Sequence, residues 1–419
     1  MRAGFASVDI TPKKSCRLAG FDLRCEESVG IHDPLFARAI VIESGGKICA
    51  ICSLDLLGAP REAVEEIRRL VREQLPVDEG GIFVCATHTH AAPRTIFRSF
   101  ACYDAEYYSL VTERASEAIL LAHSRLHSVR ARLTRTAAEG VASYRDRARE
   151  ESVCRMPCGA LLLEAIERGE GDMLVAAFSC HPTVLDEKNL LVTRDLVYGC
   201  ESRLRDIHPD LDVLFVNGAC ADISTRYTRL EASFAEVARL GGAWADAMLA
   251  SLDGARELEG GLAYVSVRLS VPPAEFFGEE ERQEVLRYLD EKIDACTDLQ
   301  QRREYVSCRS VLLRESYGQT QVCEAELGAL LLGDALICTL PFEYASVDAD
   351  ALGDAICRKF GLAPIFVCYC NGYEGYLPSG RPLDRDSGYE DIASPFRHDS
   401  KQLVARALDR VIASMTASK

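Results

Sequence analysis

Residues 47–54 (KICAICSL), 61–75 and 81–86 (GIFVCA) constrain the fold more than any other part of the chain. The outer two are apolar runs of strand length. Between them Val64, Ile67, Val71 and Leu75 recur at helical spacing. Strand, helix and strand in that order predict a βαβ unit, so part of the sheet is parallel. The same grammar of apolar run, loop and helix recurs. Strand-like runs stand at 174–179, 213–216, 262–271, 335–340 and 364–370, and helical patterns at 106–127, 195–207, 232–251, 348–360 and 401–415. Residues 279–316 are charged and helical throughout. The fold class is therefore α/β: a mixed β-sheet core flanked by helices, with a helical excursion. Residues 1–419 read as one domain and 277–318 as a helical insertion within it. The glycine-bearing stretch 253–261 reads as a surface connection. Residues 373–395 form a long aperiodic loop, a type that is often functional.

Charge and cysteine usage narrow the function classes. The net charge is −16 at pH 7, so phosphate backbones and anionic membrane surfaces are repelled. We expect no nucleic-acid partner. Apolar runs such as 329–332 fall far short of the roughly 18 residues that span a bilayer, so no integral membrane association is expected. The start of the chain lacks the apolar stretch of a secretory signal, and a cytoplasmic location follows as the expectation. Many of the 18 cysteines, among them Cys49, Cys52, Cys85, Cys180, Cys338 and Cys368, lie inside apolar runs. There a reduced thiol acts as a small hydrophobe. Cys49 and Cys52 imitate a redox pair, but in a strand positions i and i+3 face opposite sides.

Polar clusters follow five of the apolar runs: Thr87–His90, His181–Thr183, Asn217–Ala219, Pro341–Glu343 and Asn371–Tyr376. Ligands of open α/β sheets bind beyond the carboxyl ends of parallel strands, so these clusters can converge. His88 and His90 would share one side of an extended backbone. Two imidazoles so placed suit a transition metal, most often zinc; hydrogen-bonded polar residues at a strand end fit the spacing as well. His181 is the best third ligand. His123 and His127, four apart on the predicted helix, lack the glutamate of HExxH and read as a solvated helix end. His32 reads as a turn residue near a pocket. Ser224 lacks the nucleophile-elbow context and reads as a helix cap. No phosphate-binding glycine loop is present.

Taken in order, the motifs resemble the catalytic domain of the neutral/alkaline (non-lysosomal) ceramidases, a family of zinc amidases. The similarity runs from Ala3–Pro12 through Leu18–Phe21, Gly30–Arg38 and Ser53–Asp55. It continues through Thr87–His90 with Pro93, His181–Thr183, Asn217–Ser224, Leu340–Glu343, Asn371–Tyr376 and Gly388–Glu390. This resemblance, covering about residues 3 to 396, implies zinc held by His88, His181, Glu343 and Tyr376. It implies that His90 contacts the substrate amide or its tetrahedral intermediate, that Tyr389 donates to the oxyanion, and that Arg145 binds substrate. Ser224 falls on a family serine with a supporting role. The implied activity is that of a zinc-dependent amidohydrolase, in which zinc-activated water attacks the carbonyl of an N-acyl bond.

The chain also departs from the family pattern. Ala91-Ala92-Pro93-Arg94 replaces a serine-glycine turn, Ala221 replaces a glycine, and Thr225-Arg226 replaces a proline-led turn. No counterpart of the family's C-terminal β-sandwich is expected from these residues. Arg94, Arg226 and Arg229 would suit a carboxylate or phosphate on a small polar substrate. Ceramide and a smaller, more polar N-acyl compound therefore both stand as small-molecule substrates. The rival readings are a TIM-barrel-type metal amidohydrolase, which also carries HxH at a strand end, and a catalytically inactive ligand-binding member of the fold.

Overall fold

The computed structural model describes residues 1–21, 24–96, 104–145, 155–314, 316–318 and 322–416. Its larger sheet runs, in spatial order, Asp212–Asn217, Met173–Phe178, Met156–Ala165, His127–Ala138, Arg2–Asp9, Phe36–Ser44, Lys47–Leu54 and Ile82–Ala86. The two terminal pairs are parallel and every pairing between them is antiparallel. A second sheet orders Leu262–Val271, Cys323–Leu332, Ala335–Thr339 and Pro364–Val367, again with a parallel pair at one end. The predicted mixed sheet with flanking helices is present, and the βαβ unit spans Lys47–Leu54, helix Arg61–Arg72 and Ile82–Ala86. A barrel of eight parallel strands is excluded by this topology.

Alternation along the strands builds three apolar layers. Ile40, Ile42, Cys49, Ile51, Phe83 and Cys85 face a central core that also holds Leu214, Val216, Leu330 and Ile337, so both sheets contribute to it. The intervening Ala39, Val41, Ala50, Cys52 and Val84 face the helices Arg61–Arg72 and Ala105–Ser124. On the other flank, Val213, Phe215, Leu331 and Cys338 pack with Trp244, Val404 and Leu408 of the helices Phe234–Ser251 and Ser400–Thr416. Each fully buried large aliphatic or aromatic side chain contributes roughly 1.5–3 kcal/mol. Cys49 and Cys52 lie on opposite faces as their spacing requires, and both are buried free thiols.

Several strands escaped the periodicity reading: Arg2–Asp9, Phe36–Ser44, His127–Ala138, Met156–Ala165 and Cys323–Leu332. His127–Ala138 carries three arginines and two threonines among its apolar residues, and its polar face is half-exposed. The helix predicted over 106–127 ends at Ser124. His127 instead opens a strand, with its ring on the carbonyls of Arg125 and Gly171, so the i,i+4 chelate geometry does not exist. Residues Glu279–Ala295 and Leu299–Leu312 form two packed helices. Val285, Leu286, Leu289, Cys308, Val311 and Leu312 make a separate small core with Ile392. No helix among the described residues is long and apolar enough to cross a membrane.

Candidate active site

The strand ends meet because the larger sheet curls. The Asn217 side chain, fully buried at one end, donates to the carbonyls of Thr87 (3.2 Å) and Cys180 (3.0 Å) and accepts from Cys180 N. Cys368 N donates to Asn217 O at 2.9 Å, and Asn371 N to Val84 O at 2.7 Å. Five polar clusters from two sheets are thus tied into one crest. Short backbone bridges pair His181 with Ser224 and Glu343 with Tyr376.

His88, His90 and His181 each bring a ring nitrogen within 4.8 Å of the others. His88 and His181 are buried, with Nδ1 placed on the carbonyls of Leu57 (2.7 Å) and Cys220 (2.8 Å). That hydrogen bond puts the proton on Nδ1 and leaves the Nε2 lone pair free, the arrangement of metal-bound histidines. Glu343 Oε2 lies 3.1 Å from His181 Nε2 and 3.7 Å from His88 Nε2. The Tyr376 hydroxyl is 3.5 Å from His181 Nε2. His90 Nε2 is 3.5 Å from His88 Nε2, and its buried Nδ1 has no hydrogen-bond partner among the described residues. Three convergent imidazoles and one carboxylate are a donor set that fits zinc.

The electrostatics agree. Burial, reinforced by His181, pulls His88 down to about 4, and burial with both neighbouring histidines pulls His90 lower than usual. Neutral imidazole is the form that binds metal. Burial would raise Glu343, but His88 and His181 outweigh it and hold the carboxyl at about 2. The Tyr376 phenol is pushed up by burial and by Glu343.

His88 and His90 come together by a route that strand alternation does not supply. The strand stops at Ala86, and His88 sits at φ +68°, in the left-handed region. Thr89 Oγ1 then bonds Thr193 O at 2.8 Å, and Arg24 donates to the carbonyl of His90. Gly20, at φ +94°, passes so close that an added Cβ would lie 2.3 Å from the His90 ring. Tyr369 and Asn371 also have positive φ. A non-glycine left-handed residue costs of order 1–3 kcal/mol and clusters at functional sites.

Around this centre the structure gathers most, but not all, of the expected residues. Arg145 bonds Ala221 O (3.2 Å) and reaches the Tyr376 hydroxyl (3.4 Å) and Glu390 (3.3 Å). Tyr389 packs edge-on against Tyr376, with ring centroids 5.6 Å apart. Ser224 caps a short 3₁₀ turn through Arg226 N and meets Thr183 Oγ1 at 3.0 Å. Arg226 faces the pocket that opens over His90, His181, Tyr376 and Tyr389. Arg94 does not line that pocket and places its Nε near Leu18 O. Arg229 is held by the carbonyls of Thr183 and Val184. His32 lies away from the pocket, stacked on Phe234 at 3.6 Å.

The sequence reading gave no role to Tyr373 or Tyr369. The Tyr373 hydroxyl donates to Glu343 Oε1, opposite the oxygen that faces the histidines. Tyr369 stacks on His88 with centroids 4.0 Å apart. Their only sequence signal was the density of tyrosines around residues 369–376.

Among solved structures, the chain superposes on a crystal structure of neutral ceramidase from Pseudomonas aeruginosa with a TM-score of 0.78. The match covers 98% of this chain and 73% of that one, at 16% identity. The chain has a neutral-ceramidase-like fold. A ceramidase complexed with C2 matches at a TM-score of 0.77 and 15% identity, over 97% of this chain and 73% of that one. Neither a protein-family model nor a curated protein matches the sequence. With identity this low, the ceramidase-like fold is what the superposition carries, and the chemistry must be argued from the residues.

Proposed function

We propose that this protein is a zinc-dependent amidohydrolase that cleaves a linear N-acyl amide bond. One observation carries the reading. The Nε2 lone pairs of His88 and His181 are aimed, by Nδ1 bonds to backbone carbonyls, at a point shared with Glu343 and Tyr376. Those four residues are the proposed ligands. A zinc ion there supplies polarisation of a carbonyl and a lowered pKa for water.

The chain's own groups supply the rest. His90 differs from His88 and His181 because no hydrogen bond from a described residue anchors its Nδ1. An unanchored neutral imidazole suits proton transfer better than ligation, so His90 is assigned to carry the proton between water and the leaving amine. Tyr389 is assigned to donate to the developing oxyanion, a contribution of roughly 3–4 kcal/mol in comparable sites. Arg145 fixes Tyr376 and packs 5.5 Å from the Tyr389 ring centroid, so it sets the pose of both phenols. Ser224 and Thr183 support the floor beside His181. Residues 277–318 are proposed to be an insertion within a single catalytic domain.

The test is metal content by plasma emission on untagged protein, wild type beside His181→Ala, followed by an N-acyl substrate screen with and without chelator. About one zinc per chain, lost in the variant, with chelator-sensitive release of amine, is the expected result. Wild-type protein that takes up no zinc on reconstitution would sink the hydrolytic reading.

A further inference from the structure

The pocket above the proposed metal centre has two walls. One comes from the crest itself: Thr183, Ser224 and Arg226. The other comes from the helix Leu299–Leu312, which contributes Arg303, Ser307 and Ser310. The helical excursion therefore forms part of the binding surface. Its small core joins Tyr389 and Ile392 to Cys308, Val311 and Leu312, so this wall and the oxyanion donor are one packed unit.

The wall is polar, and its charges do not balance. Among the described residues, three guanidinium groups line the pocket. Arg145 is paired with Glu390 at 3.3 Å, and Arg303 with Glu187 at 2.9 Å. Arg226 makes no ion pair with any described residue, and only its backbone N–H is engaged, by Ser224 Oγ. It is half-buried. Burial, with the repulsion of Arg145, holds its pKa below the usual arginine value. Tyr227 and Glu304 act in the opposite sense, each more weakly than Arg145. A partly desolvated guanidinium without a counter-ion is costly, and its planar fork matches a carboxylate. Among the described residues, the apolar lining that a long acyl or sphingoid chain requires is confined to Phe21 and the tyrosine rings.

We propose that the substrate of this site bears an anionic group, a carboxylate, away from the scissile bond, and that Arg226 binds it against the serine-bearing face of the helix Leu299–Leu312. The proposal rests on the metal-amidase reading for the position of the scissile bond, and it deepens that reading by naming the substrate class. Arg303 stays bound to Glu187 and shapes the wall, while Arg226 carries the recognition.

The experiment uses zinc-reconstituted full-length protein and metal-binding hydroxamates as probes. Succinic monohydroxamate is compared with its methyl ester and with a phosphonate of equal length, by calorimetry, on wild type, Arg226→Ala and Arg226→Lys. The expected result is a preference of roughly 10- to 100-fold for the carboxylate over the ester, the range of one charge-assisted contact. Arg226→Ala should abolish the preference and Arg226→Lys should keep part of it. A phosphonate bound more tightly than the carboxylate would overturn the carboxylate assignment. Equal binding of acid and ester by wild type, or a preference that survives in Arg226→Ala, would overturn the anion site itself. Turnover of N-acyl amino acids against their amides is read separately. Absent turnover with the Arg226-dependent preference intact would reject the amidase reading and leave the anion site standing.

Discussion

At the scale of single residues, the division of labour proposed for three histidines rests on what each Nδ1 touches. His88 and His181 are oriented by carbonyls on Nδ1, whereas the His90 ring packs against Gly20 and Phe21 with its Nδ1 meeting no carbonyl among the described residues. We expect His90→Ala to retain its metal while turnover falls by about 10²–10⁴, the range for a lost general acid–base. Parallel metal analysis and steady-state kinetics check this; loss of metal would make His90 a ligand. Tyr373→Phe removes the donor on Glu343 Oε1. Metal affinity should weaken by roughly 10- to 100-fold, as for other groups that orient a ligand, with the melting profile of the apo-protein unchanged. Competition with a calibrated zinc chelator measures it. Much of the site's placement was legible in the sequence: His88, His90, His181 and Glu343 follow apolar runs, and each lies at the crest. Tyr373 and Tyr369 were not, because a tyrosine's role depends on what its hydroxyl or ring face meets.

At the scale of elements, the crest depends on ties between strand ends. Asn217 bonds Thr87 and Cys180 across two separate strand ends and is fully buried. Asn217→Ala leaves both carbonyls unpaired, at roughly 1–3 kcal/mol for each buried group. A loss of about 2–4 kcal/mol in urea denaturation is expected, together with weaker metal binding. A second tie is the buried pair Arg68–Glu326 at 2.7 Å, which joins the helix Arg61–Arg72 to the second sheet, and Glu326 also accepts from Asn371. Local pattern revealed the strand Lys47–Leu54 and its helix because their apolar spacing is regular. It missed His127–Ala138, whose arginines make contacts far along the chain, Arg132 to Ala255 and Arg135 to Pro364. Such contacts leave no local period.

At the scale of the whole molecule, two linked equilibria should show in stability. If zinc binds as proposed, a thousandfold excess over its dissociation constant would stabilise the folded state by ~4 kcal/mol. Chelator treatment should therefore lower the melting temperature by several degrees and zinc should restore it. An unmoved melting temperature would show that no metal is bound to the folded state. The second equilibrium is the buried cluster of Arg38, Arg194 and Glu201, with Arg205 at its edge. Burial alone would raise Glu201, but these guanidinium groups outweigh it and hold the carboxyl at about 2, against 4.5 in the open. The folded value is the depressed one, so the contribution is complete above about pH 4.5 and fades as pH falls toward 2. Its size is ~3 kcal/mol. Urea unfolding of wild type and Glu201→Gln between pH 5 and 3 should give a shallower slope for the variant; parallel curves would remove Glu201 as the acid-sensitive group. The variant should also be less stable at neutral pH by about 3 kcal/mol, because Arg38 and Arg194 keep Asp55 and Asp33 but lose the carboxylate they share.

The sequence by itself determined the α/β class, the parallel end of the sheet and the order of the clusters at its crest. Those features are local, set by apolar period, strand length and the residue types that follow each run. Only the tertiary structure decided how the crest is assembled. The curl of the larger sheet brings Asn217 to Thr87, a left-handed turn at His88 turns two histidines inward, and the helix Leu299–Leu312 sets Arg303 across a pocket from Arg226. These depend on contacts between residues more than 70 positions apart. The energy of such contacts lies in burial and hydrogen-bond geometry, which no short window of sequence contains.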